Sequence, residues 1–175
     1  MRANRPAGHT GLTFRPAISC LLLLLACSTS ANRLELIPVA AKDILTQAAS
    51  HGGSEAVLIN FWGTWCEPCV AEFPQIVELA SSYHADGLAV YFVSVDWLTE
   101  TTRVEQFLNK QGVKGISFIK DQKDEPFIAG INPQWSGALP FTAMYGRSNG
   151  ELTDYWEGAA PRERFVAAIE AALQN

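Results

Sequence analysis

From residue 34 onward, the apolar positions of the chain fall in blocks that alternate between strand-like runs and helix-like spacing. Leu34 to Val39 predicts an edge strand. Ala40 to Ser50 has a helical period, with Ile44, Leu45 and Ala48 on one face, and His51-Gly52-Gly53-Ser54 breaks it. Ala56-Val57-Leu58-Ile59-Asn60-Phe61-Trp62 is nearly continuous in apolar residues, the mark of a central strand covered on both faces. Pro68 to Tyr83 returns to helical spacing through Phe73, Ile76, Val77 and Ala80, with a kink predicted at Pro74. Leu88 to Val95 predicts a second buried strand. Thr99 to Gln111 predicts a helix, capped by Thr99 or Thr101 and ended by Gly112. A short strand over Gly115 to Asp121 and one helical turn over Glu125 to Gly130 follow. Phe141 to Tyr145 and Leu152 to Trp156 are two strands, and the Asn149-Gly150 pair between them signals a hairpin. Pro161 opens a last helix with Phe165, Ala168, Ile169 and Leu173 on its face. This alternation predicts an α/β fold: a central mixed sheet with helices on both faces and right-handed crossovers between its parallel strands.

The first 33 residues do not belong to that pattern. Arg2, Arg5 and Arg15 precede an apolar run from Ala17 to Ala26, the arrangement of an export signal. The run is shorter than the roughly 20 residues that a membrane-spanning helix needs. Leu24-Leu25-Ala26-Cys27 resembles a bacterial lipoprotein signal, which makes Cys27 the lipidated first residue. The expected organisation is a leader over residues 1–26, a tether over 27–33 and one domain over 34–175, exported and held by lipid at the extracytoplasmic face of a membrane. Plain secretory cleavage after Ser30 or Ala31 is the alternative. Lipidation leaves only Cys66 and Cys69, of the four cysteines, as thiols. The formal charge of −5, without a Lys/Arg cluster, argues against nucleic acid as a partner.

The chemistry concentrates at Cys66-Glu67-Pro68-Cys69, between the central strand and the helix after it. Two cysteines at that spacing and place read as a redox dithiol. A helix N-terminus carries unpaired N–H groups and a partial positive charge, which stabilise the thiolate that performs disulfide exchange. A zinc site calls for four ligands, and no second CxxC is present. A c-type haem site calls for His after the second cysteine, where this chain has Val70. The dithiol carries its own electrons, so no cofactor or metal is expected. Pro68 suits a first helical turn, where its missing N–H costs little. Glu67 sets a negative charge beside Cys66 and is expected to raise its pKa, favouring a reductant over an oxidant; a solvated loop residue is the alternative.

Phe61-Trp62-Gly63-Thr64-Trp65-Cys66-Glu67-Pro68-Cys69 with Glu72-Phe73-Pro74 resembles the thioredoxin superfamily, and more narrowly the TlpA/ResA-type membrane-tethered thiol–disulfide oxidoreductases of bacteria. The likeness extends through Leu139-Pro140 to the last helix. It implies a thioredoxin-like fold, with Cys66 as an exposed nucleophile and Cys69 as the more buried resolving thiol. It also implies that Glu72 takes the Cys69 proton, and that Leu139 before a cis Pro140 pairs with substrate backbone. Trp65 is expected on the apolar rim, Trp62 in the core, and Trp135 either in the substrate groove or over the core. Asn60 stands where thioredoxins proper carry a buried aspartate. The implied partners are protein disulfide or thiol substrates, apocytochrome c in the family's narrower branch, and a membrane electron-donor protein. A disulfide-forming oxidase and a metal- or client-binding module without turnover are the alternative functions.

Overall fold

The computed structural model describes residues 33–175; the leader, the tether up to residue 32 and Cys27 lie outside the described residues. The elements run β1 (Leu34–Val39), α1 (Ala41–Ala49), β2 (Ala56–Trp62), α2 (Glu67–Tyr83), β3 (Leu88–Ser94), α3 (Thr101–Lys110), β4 (Gly115–Lys120), α4 (Asp124–Ile131), β5 (Phe141–Tyr145), β6 (Leu152–Glu157) and α5 (Arg162–Gln174). The sheet order is β1-β4-β3-β2-β5-β6. The first four strands in that order pair in parallel, and β5 and β6 add antiparallel. The mixed sheet read from the sequence is the one observed, with β1 at an edge.

Strand β2 explains the two layers. All seven of its residues are buried. Side chains alternate across a strand, so Ala56, Leu58 and Trp62 enter one core with α2, α3 and α5. Val57, Ile59 and Phe61 enter the other core with α1 and α4. Asn60 shares the first face and is the polar interruption in it.

Several elements depart from the expectation. Helix α2 continues past Pro74, and its buried stripe is Cys69, Glu72, Phe73, Ile76 and Leu79. The stripe is rotated from the Phe73, Ile76, Val77, Ala80 face, because a buried glutamate occupies a position that an apolar count skips. Helix α4 is two turns rather than one. Neither Thr99 nor Thr101 caps α3; a short 3₁₀ turn over Leu98–Glu100 leads into it, and the Thr101 hydroxyl donates to the Leu98 carbonyl. In α5 the buried face ends on Ala172, with Leu173 at its margin. No helix among the described residues is long and apolar enough to cross a membrane.

Candidate active site

One edge of the sheet gathers the chemistry. The register sets Trp62 beside Ser94, Ser94 beside Ile119, Val39 beside Lys120 and Phe61 beside Phe141. The C-terminal ends of β1, β2, β3 and β4 and the start of β5 therefore lie together. In open α/β sheets, ligands bind outside the carboxyl ends of strands.

The loop leaving β2 enters α2 at Cys66, which is the N-cap residue. Cys66 and Cys69 are disulfide-bonded, with Cα atoms 5.3 Å apart. The Cys69 N–H donates to Cys66 Sγ at 3.3 Å. This is an unpaired helix-start donor aimed at the sulfur. Cys69 is the more buried of the pair, at 1% exposure. Cys66, expected to be exposed, is only 6% exposed. Its Sγ is drawn inward by the bond to Cys69, and Trp65, at 62%, takes the outward position instead. Glu67 and Pro68 occupy the first turn of α2 and face solvent.

Glu72 lies one turn after Cys69 on the same buried stripe. Its carboxylate accepts from the Asn60 side-chain amide at 3.3 Å and from the Ala160 backbone N–H at 3.1 Å. Asn60 also donates to the Thr142 hydroxyl at 3.1 Å. Burial dominates over these two hydrogen bonds and pushes the Glu72 pKa from 4.5 up to about 7. Gln75, one turn further, donates to the Ala160 carbonyl at 2.9 Å. Together they fasten the active-site helix to the segment before α5.

The Leu139–Pro140 peptide is cis, and Pro140 immediately precedes β5. The Pro140 carbonyl accepts from the Gly158 N–H at 2.8 Å. Leu139 is half-buried and packs against both cores. Trp135 is buried in the core. Its ring stacks on Phe141 at 4.6 Å in the core, and its edge lines a cavity together with Trp65 and Leu139. The Trp135 indole N–H donates to the Ala138 carbonyl at 2.8 Å, so this aromatic also shapes the segment before Pro140.

Asp96 escaped the sequence reading. It is buried just past β3 and accepts from the Thr64 N–H (2.9 Å), the Thr64 hydroxyl (2.6 Å) and the Ser94 hydroxyl (2.7 Å). This clasp fixes the turn that presents Trp65 and Cys66. The only sequence signal was a carboxylate directly after a buried strand. Gly63 lies in the same turn, where a Cβ would stand 2.9 Å from the exposed Trp65 indole. Among the described residues, no three His, Cys, Asp or Glu side chains gather as a metal site.

The fold is thioredoxin-like, with a disulfide capping the helix after its central strand. The chain belongs to the AhpC/TSA family, whose model matches residues 31–146. It is 30% identical over 117 residues to the thiol-disulfide oxidoreductase ResA of Geobacillus kaustophilus, covering 67% of this chain and 63% of that one. It is 31% identical over 124 residues to ResA of Oceanobacillus iheyensis, covering 69% and 60%. The chain thus spans less than two thirds of the length of these relatives. Among solved structures, a thiol:disulfide interchange protein of the thioredoxin family from Chlorobium tepidum superposes with a TM-score of 0.59. It is 23% identical and covers 72% of this chain and 84% of that one.

Proposed function

We propose that this protein is a thiol–disulfide oxidoreductase that reduces disulfides in exported polypeptides. The observation that carries the reading is the Cys66–Cys69 disulfide at the start of α2, one turn before a buried Glu72 with a raised pKa. The likeness in sequence to proteins named thiol-disulfide oxidoreductase supports it.

In the reduced protein the Cys66 thiolate attacks one sulfur of the substrate disulfide, and the other leaves as a thiolate. Cys69 then gives its proton to the Glu72 carboxylate and attacks Cys66 Sγ in the mixed disulfide. The second substrate sulfur departs and is protonated. The substrate gains two electrons and two protons, and the Cys66–Cys69 bond forms. A pKa near 7 suits a base working near neutral pH. The Leu139 backbone and Trp65 hold the substrate segment, and Glu67 biases the couple toward reduction. A membrane electron-donor protein returns the dithiol. Residues 1–26 act as the leader and 27–33 as the tether, with lipid on Cys27 holding the domain at the extracytoplasmic face. The CxxCH pair of apocytochrome c is one client of fitting chemistry.

The direction is tested by titrating the couple against glutathione or dithiothreitol buffers. A midpoint in the thioredoxin region, about −270 mV, fits a reductant. A value near about −120 mV makes the protein a disulfide donor and overturns the assigned direction.

A further inference from the structure

A cavity of about 200 Å³ opens at the strand-end edge, on the α1/α4 side of the sheet. Trp65, the neighbour of Cys66, and Leu139, the residue before the cis Pro140, both line it, so it adjoins the substrate groove proposed above. Trp135 lines it from the core side and Ile128 from α4. Trp97, from the loop after β3, forms an outer wall and is 69% exposed. An apolar cavity of roughly 150 Å³ takes up a benzene ring, so this one has room for a phenyl or phenol group.

The cavity contains one buried cation. Lys120, at the end of β4, is 5% exposed. Its ammonium donates to the Gln122 carbonyl at 2.8 Å, pairs with the Asp124 carboxylate at 2.7 Å, and stands 5.4 Å from the centroid of the Trp97 ring. The ammonium thereby holds the exposed indole at the cavity mouth through a cation–π contact. These groups discriminate between possible occupants. An acidic side chain would lose hydration among the tryptophans and meet the Asp124 carboxylate, which already balances the lysine. A basic side chain would equally lose hydration and find no counter-charge, because Asp124 is already paired with Lys120. An aromatic ring fits the volume, stacks with indoles and presents a negative face to the cation. An aliphatic side chain gains only the burial.

We propose that this cavity is a specificity subsite that takes an aromatic side chain next to the target cysteine of the substrate. The inference rests on the oxidoreductase reading. The test uses disulfide-bonded peptides in which the residue on each side of the cysteine is, in turn, Phe, Tyr, Leu, Glu or Ala, with kcat/KM for reduction as the readout. Phe and Tyr peptides are expected to react at least about 10-fold faster than Ala peptides, the discrimination one well-filled apolar pocket provides. Trp97→Ala should bring all peptides within about twofold and leave the Ala peptide unchanged. Ile128→Trp, which fills the cavity from α4, should act in the same way. A flat profile in the wild type, an aromatic preference that survives Trp97→Ala, or a preference for Glu overturns the subsite while leaving the oxidoreductase reading in place. Failure to reduce any peptide overturns both.

Discussion

Replacing Glu72 by Gln tests the energetic centre of the site. The carboxyl titrates at about 7 in the folded chain against 4.5 for an ordinary glutamate. Below the lower value it is protonated in both states and costs nothing. Between the two values the unfolded chain releases a proton that the folded chain keeps, so stability falls as pH rises. Above the folded value the cost is fully present, about 3 kcal/mol at 1.36 kcal/mol per pKa unit. Because the group is nearly fully buried, solvent screening does not erase this term. Glutamine keeps the volume and one acceptor but has no titration. Urea unfolding of the oxidised protein, wild type and Glu72→Gln, at about pH 5 and about pH 8.5 should show the difference between them shift by about 2.5 kcal/mol in favour of the variant at the higher pH. All other titrating groups cancel in that difference. Parallel stability curves for the two proteins would refute the burial argument, and with it the reason for assigning Glu72 as a base near neutrality.

Cys69→Ser should accumulate mixed disulfides with substrate through Cys66, seen on non-reducing gels, whereas Cys66→Ser should trap little; equal trapping by both would reverse the assigned roles. Asp96→Ala removes a buried acceptor from three donors in the Thr64 turn. It should lower stability by about 2–4 kcal/mol in denaturant unfolding, and a loss under about 0.5 kcal/mol would show that the clasp is not needed. Gly63→Ala should displace the Trp65 indole, read as a change in tryptophan emission and a raised KM for protein substrate. Its stability should change by under about 1 kcal/mol, because the indole is free to swing into solvent.

The residues of β2 were legible because a strand covered on both faces must be apolar at every position, whatever packs on it. The active-site helix was legible in extent but not in face. Its apolar count omits Glu72, although the resemblance implies a proton acceptor there beside Cys69; what the sequence does not show is the Asn60 amide and the Ala160 N–H that the carboxylate meets. For helix α4 the sequence pattern predicts a single turn over Glu125 to Gly130. The eight-residue helix stands because Phe127 and Ile131 are buried against the sheet. Cys66 was read as exposed because a nucleophile needs access, whereas in the oxidised state its sulfur is turned toward Cys69.

By itself the sequence determined the order of elements, the mixed sheet and the place of the dithiol. Each of these follows from local periodicity and from groups three residues apart on one helix. Only the tertiary structure decided the surroundings of that dithiol. Thr64 meets Asp96 across 32 residues, and Glu72 meets Ala160 across 88. Lys120 reaches Trp97 from a different strand end. The physical reason is that a carboxylate's pKa and a pocket's preference come from burial and from neighbouring charges. Chain segments far apart in sequence supply both, once the sheet register brings their ends to one edge.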